Sequence, residues 1–163
     1  MIILGIDPGL ASTGFGAVRC DPGNPGLLTC GYIKTSPRQD MPERLFQIYS
    51  DLQQILRSVK PDLMAVENVF SLARYPRAGI ILGGVLGVIY LGAVQNGVRI
   101  ADISPREVKN ALVGHGSATK TQVKETTRRI LGVDDIRSFH AADALAVALT
   151  AFYRGARTTR GKR

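Results

Sequence analysis

A chain of 163 residues is close to the ~150 expected of one domain, 45% hydrophobic content with mean hydropathy +0.06 suffices for one packed core, and no internal repeat interrupts it. Lys and Arg outnumber Asp and Glu by 21 to 13, a net charge of +8 that points to a polyanionic partner such as nucleic acid. Part of that charge is local: Arg154, Arg157, Arg160, Lys162 and Arg163 fall in the last ten residues, and without them the balance is 16 to 13. The expected organisation is therefore one domain over 1–153 and a basic, disordered tail over 154–163.

The chain opens with Ile2, Ile3, Leu4 and Ile6, an apolar run broken only by Gly5, which reads as a strand buried on both faces. It ends in Asp7 and is too short for a signal peptide. Pro8 and Gly9 break it, Ser12 to Gly14 continue the turn, and Phe15 to Arg19 resume a strand, so the segment reads as a hairpin. A carboxylate there is either a turn residue or one that meets a positive partner. A Pro-Gly-rich loop over 21–26 leads to a third strand, Leu27 to Thr35, which completes an antiparallel meander. Cys20 and Cys30 have neither zinc nor redox spacing and read as buried strand residues.

Asp40 followed by Glu43, with Pro42 between them, marks a helix start. Leu45, Ile48, Tyr49, Leu52, Ile55, Leu56 and Val59 then form one apolar stripe, and Lys60-Pro61 ends the helix. Leu63 to Val66 is another buried strand, with Glu67 at its end. A strand reached by a helical crossover from a meander lies parallel to the first, which brings Asp7 and Glu67 to the same rim.

Ala78 to Val98 carries no charge and is long enough for a membrane span. Gly79, Gly83, Gly84, Gly87 and Gly92 count against one, and the expected state is a buried helix at a subunit interface. Val98 to Ile103 is the last strand. Ser104 and Glu107 form a capping box for a short helix to about Val113, and Thr119 and Gln122 form a second one after the loop Gly114 to Ala118. The helix that Thr119 opens has an apolar face of Val123, Thr127, Ile130 and Leu131 and a basic stripe of Lys120, Lys124 and Arg128. Joined to the glycine-rich loop, that stripe reads as a nucleic-acid contact.

Phe139 to Leu149, expected to be capped by Ser138, is an alanine-rich helix on which His140 and Asp143 share a face. Set among alanines, Asp143 reads as a buried, partnered carboxylate. Two strand-end acids and a helix-borne His-x-x-Asp pair at one rim form a set that suits hard cations. Mg²⁺ or Mn²⁺ favours carboxylate oxygens, and a pair of ions ~4 Å apart can clamp both oxygens of a phosphodiester displacement.

The motifs Ile-Leu-Gly-Ile-Asp-Pro-Gly, Val-Glu-Asn-Val-Phe, Val-Gly-His-Gly-Ser-Ala-Thr-Lys and His-Ala-Ala-Asp-Ala-Leu-Ala, in this order and spacing, resemble those of RuvC-type Holliday-junction resolvases of the RNase H-like superfamily. The resemblance extends from Met1 to about Tyr153. It implies an α/β RNase H-like fold, a five-stranded mixed sheet with its first three strands antiparallel and helices on both faces. It also implies a bacterial cytoplasmic homodimer, nucleoid-associated when on DNA, that nicks a four-way junction symmetrically with divalent metal and works beside a branch-migration motor. By the same resemblance Asp7, Glu67, His140 and Asp143 are catalytic and metal-binding residues. Lys109 and Lys120 match basic residues near DNA, and Phe70 matches an aromatic placed to stack on unpaired bases.

Two departures stand out. His140 occupies a position where many relatives carry Asp, and the helix from Arg77 is more aliphatic than the family pattern. Rival readings are an actin-like kinase, for whose two domains the chain is too short, a junction-binding protein that does not cut, and an RNA-directed nuclease of the same fold.

Overall fold

The computed structural model describes residues 1–21, 24–68 and 76–160, with side chains over 77–155 in the last of these. Three strands form the meander: β1 (Ile2–Asp7), β2 (Ser12–Asp21) and β3 (Asn24–Lys34). Helix α1 (Met41–Val59) crosses to β4 (Leu63–Glu67), and α2 (Pro76–Gln95) crosses to β5 (Arg99–Ile103). Helices α3 (Pro105–Leu112), α4 (Lys120–Leu131) and α5 (Phe139–Arg160) complete the chain.

The sheet order is β3-β2-β1-β4-β5, antiparallel across the meander and parallel from β1 to β5. This is the expected mixed sheet. Because successive strand residues face opposite sides, β1 sends Leu4 and Ile6 to a core under α1 and α2, and Ile3 to a core under α3, α4 and α5. All three expected capping boxes form, at Asp40, Ser104 and Thr119.

Some boundaries differ from the sequence reading. β2 starts at Ser12, without further turn residues, because Gly14 pairs with Asp7. β3 starts at Asn24, inside the expected loop, and Pro25 pairs with Cys20. A strand proline is tolerated there because β3 is an edge of the sheet. The basic segment expected to be disordered from residue 154 continues α5 as far as Arg160.

The largest difference concerns α2. By length and composition Arg77–Gln95 could cross a membrane, yet here it lies beside α1 with Val85, Ile89 and Ala93 buried. Within the single chain it is only partly buried: Ile80 is 77% and Val94 67% exposed, and Leu91 is open beside them. One face covers the sheet and the other meets no partner among the described residues.

Candidate active site

On β1 the residues that alternate with Leu4 and Ile6 are Ile3, Gly5 and Asp7, and on β4 the same face carries Leu63, Ala65 and Glu67. The register Ile6↔Val66 sets Asp7 and Glu67 side by side at the ends of adjacent parallel strands, under α5.

Helix α5 lies very close to these strands. A Cβ at Gly5 would stand 1.9 Å from the Ala144 carbonyl oxygen, and one at Gly14 would stand 2.1 Å from that of His140. No side chain larger than hydrogen fits at either place. The two glycines thus let the start of α5 press onto β1 and β2 and bring His140 and Asp143 over Asp7. The sequence suggests only a break in the apolar run at Gly5 and a turn residue at Gly14; their place on the α5 face, alternating with buried aliphatics, is the signal that reading lacks.

His140 Nδ1 stands 3.0 Å from Asp7 Oδ2, and Lys120 Nζ from the first residue of α4 donates to Asp143 Oδ2 at 3.3 Å. Asp7 is 16% exposed and His140 49% at the side chain. Glu67 is pushed up to about 7, first by burial and then by the charges of Asp7 and Asp143, against an opposing pull from Lys120. Asp7 is also raised by burial, with the His140 hydrogen bond opposing. The Lys120 ammonium is raised in turn, chiefly by Asp143. Three crowded carboxylates with one exposed ammonium among them are short of positive charge.

That shortage is what a divalent cation relieves, and the donors are the hard oxygens that Mg²⁺ and Mn²⁺ prefer. Among the described residues no three donors yet converge on one point, since Asp143 is turned to Lys120 and Asp7 to His140. The donor set fits such an ion once Lys120 gives way.

Beside the carboxylates opens a cleft of about 240 Å³ whose lining includes Glu67, Asp143, Lys109, Lys120 and Val108. Lys109 is half-buried there and makes no ion pair among the described residues. Lys124 is placed differently: its ammonium lies 3.7 Å from Asp135 and 5.0 Å above the Phe139 ring, tying α4 to the start of α5. Arg128 pairs with Glu125 and donates to the carbonyls of Val133 and Asp134. Only Lys120 of the basic stripe faces the carboxylates. Phe70 lies outside the described residues.

An RNase H-like sheet with acids at the ends of its two central parallel strands and a third acid on the covering helix defines a nuclease-type α/β domain. A family model described as crossover junction endodeoxyribonuclease RuvC matches residues 3–151. The RuvC endonuclease of Syntrophomonas wolfei is 43% identical over 150 residues, 91% of this chain and 87% of that one. The Thermus thermophilus RuvC structure superposes with a TM-score of 0.88 at 37% identity, covering 97% and 98% of the two chains. The T. thermophilus protein in complex with a Holliday junction substrate gives 0.90 at the same identity, covering 97% of each. The yeast mitochondrial resolvase Ydc2, at 14% identity and a TM-score of 0.69, shares the fold. The chain belongs to the RuvC family of crossover junction endodeoxyribonucleases, and membership implies dependence on a divalent metal.

Proposed function

We propose that this protein resolves four-way DNA junctions by hydrolysing one phosphodiester in each of two symmetry-related strands, at a site built from Asp7, Glu67 and Asp143. The observation that carries the reading is the meeting of these three carboxylates at one rim, with Lys120 3.3 Å from Asp143. Mg²⁺ or Mn²⁺, in two sites held by Asp7, Glu67, Asp143 and His140, would supply the charge that polarises the phosphate and acidifies water.

The protein's own groups divide the remaining work. Asp7, buried against α5 and fixed by His140 Nδ1, sets where the scissile phosphate sits. His140 has a second ring nitrogen with which to bind an ion or accept a proton. Lys120 is free to leave Asp143 for the phosphate, where its ammonium offsets the charge that builds up in the transition state. Lys109, across the cleft, holds the same strand electrostatically.

Two nicks at symmetric positions call for two sites, and an isologous dimer presents them with matching symmetry. The open face of α2, with Ile80, Leu91 and Val94 around Gly83 and Gly87, supports a second copy as its cover. A cytoplasmic location and a branch-migration motor as partner rest on the family resemblance.

The direct test is cleavage of a synthetic four-way junction with Mg²⁺ or Mn²⁺, wild type against Asp7→Asn, where both are shown to bind. Paired nicks from wild type alone establish the reading. Binding without cutting leaves a junction-binding module, and preference for an RNA duplex would move the activity to RNA.

A further inference from the structure

Between Asp7 and β2 the chain makes a turn whose carbonyls are drawn into the protein. Gly9 O accepts the buried Thr13 hydroxyl at 2.7 Å, and Leu10 O accepts the buried Thr35 hydroxyl at 2.6 Å. Ala11 O accepts the Thr35 amide at 3.2 Å. The amide N–H groups of Leu10 and Ala11 meet no acceptor among the described residues. A turn tied down by its carbonyls offers the positive ends of its peptide dipoles on its other side, an arrangement that binds anions.

Arg44, in the first turns of α1, joins this turn. Its Nε donates to Thr35 Oγ1 at 2.8 Å, two hydrogen bonds from the Leu10 carbonyl. It takes part in none of the ion pairs among the described residues, and its acidic neighbours Asp40 and Glu43 are engaged with each other in the capping box. A half-buried guanidinium held at Nε by a neutral hydroxyl keeps both terminal nitrogens for a bidentate partner, and phosphate fits that fork.

The turn follows β1 and Thr35 follows β3, so both lie on the rim that carries Asp7 and Glu67. Sheet order sets Arg44 on the β3 side of Asp7, while Lys109 and Lys120 line the cleft on the β4 side.

We propose that Arg44 and the amides of Leu10 and Ala11 form a second phosphate site, which grips a backbone phosphate of the cleaved strand next to the scissile one. The proposal rests on the resolvase reading and deepens it. With phosphates held on both sides of Asp7, the strand is fixed in register and the scissile bond cannot slide past the carboxylates.

The test measures affinity for four-way junctions carrying one neutral methylphosphonate at successive linkages around the cut. An Asp7→Asn background keeps the DNA intact. At one non-scissile linkage the neutral group is expected to weaken binding about tenfold when Arg44 is present and hardly at all in Arg44→Gln. The slope of log Kd against log salt should fall by ~0.7 to 0.9 for each phosphate no longer neutralised, and Arg44→Lys should restore it. Additive effects at every linkage overturn the proposal. So does an Arg44→Gln defect confined to a lower Tm with an unchanged salt slope, which would make Arg44 a clamp on the turn and nothing more. A protein that binds no junction at all takes down this site and the resolvase reading together. Failure of the coupling alone leaves the resolvase reading standing.

Discussion

His140 Nδ1 and Asp7 Oδ2 stand 3.0 Å apart although 133 positions separate them in the chain. The pair joins the first strand to the last helix at the point where the other two carboxylates arrive. Whatever moves α5 on the sheet therefore moves the site.

Removing the Asp7 charge tests the centre of the arrangement. Asp7→Asn keeps the shape and the His140 contact but lowers the negative charge that would hold a cation. Cleavage of a bound junction should fall by about 10³-fold or more with little change in Kd. Single-turnover cleavage beside an anisotropy titration separates the two effects.

The packing of α5 predicts that glycine is required at Gly5 and Gly14. Gly5→Ala places a methyl 1.9 Å from the Ala144 carbonyl oxygen, and backbone cannot yield as a side chain tip would. A loss of ~2 kcal/mol or more is expected. Cleavage should fall further than stability alone explains, because Asp143 and His140 ride on the displaced helix. Urea unfolding and cleavage measured on the same preparation check this.

A pH prediction follows from Glu67. Its ordinary value is 4.5 and the folded chain pushes it up to about 7, so the native state holds this proton more tightly than the unfolded chain. The stability so conferred is full below about 4.5 and is lost as pH rises through 7, and Asp7, also raised, acts in the same direction. With metal chelated, Tm should fall between pH 5 and pH 8, by a few kcal/mol at most in free energy. Glu67→Gln should flatten the fall. Adding Mg²⁺ or Mn²⁺ at pH 8 should raise Tm in wild type, since a ligand of the native state stabilises it; no rise would count against a metal on these carboxylates.

Lys120 has a role that charge alone can report. Lys120→Met removes the ammonium beside Asp143, and nicking of bound junction should slow by about 10² or more. Lys124→Met, whose ammonium is held at Asp135 and the Phe139 ring, should change junction affinity little while loosening the start of α5. A junction-affinity loss at Lys124 as large as that at Lys109 would contradict this division.

The open face of α2 predicts association. Val94→Glu and Leu91→Glu put charge on an exposed apolar stripe, where the isolated chain would tolerate it. If a second copy covers that face, sedimentation should show monomers and paired nicking should become single nicks. Unchanged mass would place the dimer contact elsewhere.

Sequence alone determined the order of elements and, from motif order and spacing, pointed to Asp7, Glu67, His140 and Asp143 as the groups that meet at one rim. Capping boxes at Asp40, Ser104 and Thr119 are local chemistry, as are the apolar run that delivers Asp7 and the crossover that sets β4 beside β1. It could not determine which cations meet which acids. Lys120, Lys124 and Arg128 look alike on a helical wheel, and only packing decided that Lys120 faces Asp143 while the others bind their own domain. The same holds for Gly5 and Gly14, one a break in an apolar run and the other a turn residue until α5 lies on them, and for α2, whose uniformly apolar sequence hides which face the sheet covers. Local propensity and hydrophobic period act within a few residues; partner choice at a site depends on contacts between residues far apart in the chain, and these exist only once the layers have packed.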